Sequence, residues 1–185
     1  MAEHSQNNED DVRAAQRGRH AAFVRLIKTE EQAMYRIAKA YLKSDAECAD
    51  AMQETVLKAY KTIRSLREPA YFRTWLLRIL INECKRILQY KSKVVTMETE
   101  AIDAASESKS KETEAMDLGE ALQSLDEELR VVVSLYYLDD RPLKEVAGLL
   151  ELPEGTVKSR LYRAREKLAR FLRPERSVTT NATNE

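Results

Sequence analysis

An all-α chain is predicted, built as two small helical domains joined by a flexible acidic linker. Three observations predict it. Only four Gly and four Pro occur in 185 residues, so helix breakers are scarce. Ala, Leu, Glu, Lys and Arg, the good helix formers, are abundant. Apolar residues recur at three- and four-residue steps, and no stretch alternates apolar with polar residues long enough to predict a strand. A hydrophobic content of 43% excludes a wholly disordered chain, and the length excludes a barrel enzyme with all its loops.

Residues 1–14 are polar and acidic and are expected to be disordered. Phe23, Leu26 and Ile27 open the first amphipathic pattern, continued by Met34, Ile37, Ala38, Tyr41 and Leu42. A second helix is predicted over 46–63, with Ala49, Met52, Val56, Ala59 and Tyr60 on its inward face. Pro69 biases Glu68 away from helix and marks a break over 65–70. The pattern resumes over 71–90 with Phe72, Trp75, Leu76, Ile79, Leu80, Cys84, Ile87 and Leu88 inward. Trp75 sits on that apolar stripe and is read as core. Residues 15–95 thus form the first domain.

Residues 96–116 are Ser-rich and acidic, with almost nothing to bury, and read as the flexible linker. The second domain, 117–174, places Leu118, Leu122 and Leu125 on one helix and Leu129, Val132, Val133, Leu135, Tyr136 and Leu138 on another. Residues 139–142 make a turn, and Pro142 suits the first turn of a short helix over 143–150. A second turn leads to a long helix over 156–172, with Val157, Leu161, Ala164, Leu168 and Phe171 inward. Residues 175–185 read as a disordered tail.

The net charge of zero conceals blocks of opposite sign. Residues 1–14 carry net −3; residues 15–95 hold seventeen bases against eight acids, net +9; residues 96–118 return to net −5; and residues 119–176 balance. Basic surfaces around an acidic spacer point to a polyanionic partner. Cys48 and Cys84 have no metal-ligand spacing and are read as reduced structural thiols, so no metal or other cofactor is expected. No segment reads as a signal peptide or approaches the ~20 apolar residues of a membrane span, which predicts a cytoplasmic chain with no direct membrane insertion.

A short helix, a turn and a longer basic helix, with small Ala147 ten positions before Val157, is the pattern of a helix-turn-helix. At 100° per residue, Val157, Leu161, Ala164 and Leu168 cluster on one side. Ser159, Tyr162, Arg163 and Glu166 face away, with Lys158 and Arg165 on one shoulder and Arg160 and Lys167 on the other. An apolar back, short polar and Arg groups in front, and cations on both shoulders suit a helix that reads base edges between phosphates.

The run 125–130 through 155–168, Gly155-Thr156-Val157-Lys158-Ser159-Arg160-Leu161-Tyr162-Arg163-Ala164-Arg165-Glu166-Lys167-Leu168 included, resembles region 4 of the extracytoplasmic-function (group 4) sigma factors of bacterial RNA polymerase. Asp50-Ala51-Met52-Gln53-Glu54 with Tyr60 is similar to the polymerase-binding helix of region 2. Phe72-Arg73-Thr74-Trp75-Leu76-Leu77-Arg78-Ile79 followed by Asn82 is similar to that family's promoter-melting segment. The two signatures stand in the family's order and span about residues 20–172.

The resemblance implies a non-enzymatic subunit that gives core RNA polymerase its promoter specificity. It assigns Asp50, Gln53 and Glu54 to the clamp helices of the β′ subunit, and region 4 to the β flap. It assigns capture of the melted −10 strand to the loop 64–70 and the helix after it, with Arg64, Arg67, Arg73, Asn82, Lys85 and Arg86 as candidates. Contacts to the −35 duplex fall to Thr156, Lys158, Ser159, Tyr162 and Arg163, with Arg160, Arg165 and Lys167 on phosphates. An anti-sigma factor is the implied regulator. The chain departs from the family where Arg64 replaces an Asn of the capture loop, Arg86 replaces an Asp, and Glu151 replaces the Gly of the helix-turn-helix turn. The alternatives are a helix-turn-helix regulator that is not a sigma subunit, and a helical adaptor that sequesters another protein.

Overall fold

The computed structural model describes residues 2–98 and 118–171. Among them are eight α-helices and no strand: α1 (Ala2–Gln16), α2 (His20–Tyr41), α3 (Asp45–Thr62), α4 (Phe72–Glu98), α5 (Leu118–Gln123), α6 (Glu127–Val133), α7 (Leu143–Leu150) and α8 (Glu154–Phe171). Two short 3₁₀ turns, Ile63–Ser65 and Pro69–Tyr71, separate α3 from α4. A π turn, Ser134–Leu138, prolongs α6.

The expectation of a disordered 1–14 is corrected by α1. Val12 and Ala15 are buried in the core against α2. Full burial of a Val side chain contributes roughly 1.5–3 kcal/mol, enough to order a short amphipathic helix on a preformed surface. Gly18 ends α1 with φ of 88°, a left-handed cap in which Arg19 N–H reaches Ala14 O at 3.0 Å.

Helix α2 is the centre of the molecule, packing against α1, α3, α4 and α6. Ala22, Ala33, Ala38 and Ala40 are buried beside Phe23, Leu26, Met34 and Ile37. Small side chains on several faces let several neighbours approach closely. On α3 the buried stripe is Cys48, Ala51, Thr55 and Ala59, with Met52 and Val56 half-buried. Ala49 and Tyr60, predicted inward, are exposed. The phase is set by a thiol and a hydroxyl instead, and Thr55 tolerates burial because its Oγ donates to Ala51 O at 2.7 Å.

Helix α4 carries the predicted stripe, and Trp75 packs half-buried with its ring 5.9 Å from that of Phe72. It runs past the predicted end to Glu98. The rest of the predicted linker and the predicted tail lie outside the described residues. In the second unit, Leu138 and Phe171 were expected inward and are exposed. The π turn inserts an extra residue before Leu138 and rotates it outward, and Phe171 is the last described residue of α8, beyond its packed stretch.

The two helical units pack on one another, α2 against α6 and the π turn and α4 against α7, and their apolar residues form one continuous core. Arg130 of α6 pins this contact. It is buried, and donates through Nε to Ala40 O of α2 at 2.6 Å and through Nη1 to Leu125 O at 3.0 Å. Burial pushes its pKa down.

Candidate nucleic-acid interface

Helix α8 crosses α6 and α7 and buries Val157, Leu161 and Ala164 against them. Helix α7 ends at Glu151, which takes the left-handed conformation (φ 58°, ψ 41°) where glycine is favoured, and Pro153 O receives the first amides of α8. The packing fixes the outward face: Lys158, Ser159, Tyr162, Arg163 and Arg165 are all exposed, Tyr162 by 62%. Thr156 is half-buried and its carbonyl accepts from Ser159 Oγ at 2.9 Å. Arg160 and Lys167 turn back toward the start of α6, where Arg160 meets Glu128 at 2.8 Å and Lys167 meets Asp126 at 2.5 Å. One face of α8 therefore presents cations and short polar groups together, while the shoulder nearest α6 already holds internal acids.

The second cationic element is the loop 63–71 with α4. Arg64 and Arg67 are exposed on the loop, each directly following a buried anchor, Ile63 and Leu66. Along α4, Arg73, Asn82 and Arg86 are exposed and Lys85 half-buried. Arg86 Nε donates to Glu83 Oε2 at 2.9 Å, and Lys58 reaches the other oxygen of the same carboxylate at 2.5 Å. Burial pushes the Glu83 pKa up, but these two cations outweigh it and hold the carboxyl below its ordinary value.

The outer face of α3 presents Asp50, Gln53 and, half-buried, Glu54, whose carboxylate lies 3.9 Å from Lys58. Leu57 shares this face and is 47% exposed, an apolar residue the sequence reading missed. Its spacing of three and seven from Glu54 and Asp50 was the available signal.

A charged cluster joins the two units. Asp139, read from sequence as a turn residue, is buried to 1% exposure. Its carboxylate accepts from Arg73 and, at 2.7 Å, from Arg141 Nε, with Arg36 at 3.9 Å. Arg73 also meets Glu30 at 3.0 Å, and Arg141 donates to Thr74 Oγ1 at 3.1 Å and Glu145 at 3.0 Å. Burial pushes the Glu30 pKa up. Asp140 takes a left-handed φ of 49° in the turn that carries Asp139 inward. Arg78 adds a bond to Gly148 O at 3.3 Å. Of the predicted strand-binding cations, Arg73 is thus brought to this cluster.

Among the described residues no group of three or more His, Cys, Asp and Glu is arranged to hold a metal ion, and no helix is long and apolar enough to cross a membrane.

Comparison with known proteins gives two matching family models: sigma-70 region 2 over residues 26–94, and sigma-70 region 4 over residues 115–168. RNA polymerase sigma factor SigV of Bacillus subtilis is 31% identical over 144 residues, covering 78% of this chain and 87% of SigV. The ECF RNA polymerase sigma-E factor of Escherichia coli K12 is 31% identical over 178 residues, 88% of this chain and 93% of that factor. In fold the chain is similar to CnrH, solved with the cytosolic domain of CnrY (TM-score 0.66, 22% identity, 90% of this chain and 97% of CnrH). It is likewise similar to the sigma factor RpoE of Bartonella quintana, solved with the anti-sigma factor NepR (TM-score 0.68, 22% identity, 83% and 98%).

Proposed function

The chain belongs to the sigma-70 family of RNA polymerase sigma factors, in its extracytoplasmic-function group, and from that premise we propose how its residues divide the work of promoter-specific transcription initiation. Helix α8 lies in the major groove of the −35 duplex. Ser159, Tyr162 and Arg163 meet base edges, with Thr156 and Lys158 at the edge of the groove. Arg160, Arg165 and Lys167 hold phosphates on either side. The observation that carries this reading is the outward cluster of Lys158, Ser159, Tyr162, Arg163 and Arg165 opposite the buried Val157, Leu161 and Ala164.

The loop 64–70 and the first turns of α4 hold the melted −10 strand. Arg64, Arg67, Arg73, Lys85 and Arg86 track its backbone, and Asn82 supplies an amide to a base. Such contacts offset the few kcal/mol needed to unstack a base, about the size expected for extrusion from a duplex. Asp50, Gln53 and Glu54 dock on the β′ clamp helices of core RNA polymerase, and the exposed Leu57 gives that face an apolar centre. The second unit engages the β flap. An anti-sigma factor that covers these surfaces is the expected regulator, in a cytoplasmic setting.

Several of these cations already have acid partners inside the chain: Arg73 with Glu30 and Asp139, Arg86 with Glu83, Arg160 with Glu128, Lys167 with Asp126. Promoter binding on this reading is an exchange of internal carboxylates for phosphates. For Arg73 the exchange requires the two units to separate. Buried donors on Arg36 and Arg141 without a hydrogen-bond partner favour that separation, since each such group costs about 1–3 kcal/mol while the cluster stays closed.

In vitro transcription with purified core polymerase tests the reading. Core plus this protein initiates at promoters of its own genome, and Arg163→Ala lowers initiation in proportion to its dependence on the −35 element. Failure to initiate at any such promoter, together with tight duplex binding by the protein alone, returns the chain to the reading of a regulator that is not a sigma subunit.

A further inference from the structure

We propose that α1 is a working part of the −10 strand site, and that Gln16 is the positioning residue through which it acts. The proposal rests on the reading that the loop between α3 and α4 holds the melted strand. Gln16 is the last residue of α1, and its side-chain amide Nε2 donates to Ile63 O at 3.1 Å and to Leu66 O at 2.7 Å. Those two carbonyls belong to the peptide units that lead into Arg64 and Arg67. One NH₂ group, with two donors, therefore fixes the peptide planes that set the direction of both exposed arginines.

Ile63 and Leu66 anchor the loop in the core, but few hydrogen bonds orient the peptides between them and α4. Among its own bonds are Leu66 N–H to Ile63 O at 3.2 Å, Tyr71 N–H to Glu68 O at 3.0 Å, Phe72 N–H to Pro69 O, and Ser65 Oγ to Thr62 O at 2.7 Å. Helix α1, by contrast, is firmly seated. Val12 and Ala15 are buried, Asp11 accepts from Arg25 of α2 at 3.0 and 2.5 Å, and α1 packs along both 3₁₀ turns. A rigid helix thus lends its order to a loop that must present cations at defined points. Family likeness does not assign this role, because the region 2 match begins at residue 26, beyond α1.

The side chain at 16 must reach two carbonyls and be uncharged and donating. Ala removes the brace, and Glu replaces donors by acceptors that repel both carbonyl oxygens.

The test uses the full chain bound to core polymerase. Gln16→Ala, Gln16→Glu, Arg64→Ala, Arg67→Ala and the Gln16→Ala/Arg67→Ala pair are compared for binding to a single-stranded −10 oligonucleotide and to a −35 duplex, with amide hydrogen exchange across 63–71 on the free proteins. Gln16→Ala loses both hydrogen bonds to the loop and is expected to weaken −10 strand binding about fivefold, with −35 binding unchanged and loop exchange faster. Gln16→Glu is expected to weaken it further. In the double variant Gln16→Ala costs less than it does alone, because the brace then acts through Arg64 only. Unchanged loop exchange in Gln16→Ala, or equal losses on −10 and −35 DNA, overturns the brace. If Arg67→Ala and Arg64→Ala both bind the −10 strand normally, the strand-holding reading itself fails and the proposal falls with it, whatever the loop exchange shows.

Discussion

Arg73, in the first turn of α4, donates to the buried carboxylate of Asp139, in the turn before α7. The contact joins the first helical unit to the second. Asp139 is the shared acceptor of Arg73 and Arg141, so its removal takes the nearest carboxylate from the buried Arg141, while the half-exposed Arg73 keeps Glu30. Breaking a buried pair in this way costs about 3–5 kcal/mol. In Asp139→Ala that cost falls on the contact between the units. Its radius of gyration in solution scattering should rise while helicity by circular dichroism holds, and Arg73, free of Asp139, should strengthen binding of a −10 oligonucleotide by the free protein. A compact Asp139→Ala with wild-type thermal stability would show that the cluster does not hold the units together.

Glu30 gives a pH prediction from the same cluster. Burial raises its pKa above the ordinary 4.5, opposed by Arg73 and Arg141 and assisted by Asp139. A carboxyl with a raised folded-state value favours the fold while protonated. That contribution is present below about 4.5 and is lost as pH rises through the folded-state value. Glu30→Gln removes the titration. Its stability relative to wild type should therefore grow as pH is raised above 4.5 and level off once Glu30 is fully ionised, read by urea unfolding across pH. A difference independent of pH would contradict the assignment.

Glu151 closes α7 in a left-handed conformation that costs an L-residue about 1–2 kcal/mol relative to glycine. Glycine loses about 0.4–1 kcal/mol of that advantage through its freer unfolded chain. Glu151→Gly is therefore expected to stabilise the fold by about 0.5–1 kcal/mol, measured by denaturant midpoint at constant slope. Since Glu151 is exposed, no packing is lost.

Cys48 and Cys84 are both buried, and burial pushes the Cys84 thiol up to about 12 and that of Cys48 upward as well. Neither presents thiolate at pH 8. A chromogenic disulfide reagent should release no signal from the native chain and two equivalents after unfolding; fast native reaction of either would contradict the burial.

The parts that sequence made legible are those governed by local period. The stripe Val157, Leu161, Ala164 and its cationic opposite follow from 100° per residue, and Ala147 and Val157 placed the helix crossing. Helix α1 escaped notice because, among the residues whose burial is described, only Val12 and Ala15 are its buried apolar residues, too few to stand out until α2 and the loop supply partners. The phase of α3 was missed by a single position because Cys48 and Thr55 are buried where Ala49 and Tyr60 looked the better apolar choice. The Asp139 cluster had no local signature at all, since Arg73, Glu30 and Asp139 meet only through tertiary packing. Asp139-Asp140-Arg141-Pro142 was rightly read as a turn, and its buried charges were not.

On the proposed reading the two faces of α8 divide base reading from phosphate holding, and two substitutions test that division. Arg163 is exposed at the front of the helix and pairs with no acid among the described residues, which leaves its guanidinium available for a base edge. Arg163→Ala should cost about 1–3 kcal/mol on a matched −35 element and much less on a scrambled one. Lys167 sits on the shoulder with Asp126, an exposed pair worth little by itself. Lys167→Ala should weaken both elements alike and lower the salt dependence of binding by about one counterion. Fluorescence anisotropy with holoenzyme on the two duplexes, across a salt series, measures both quantities. Equal losses for both variants on both elements would mean that α8 holds the duplex without reading it, and the specificity would then have to lie elsewhere in the chain.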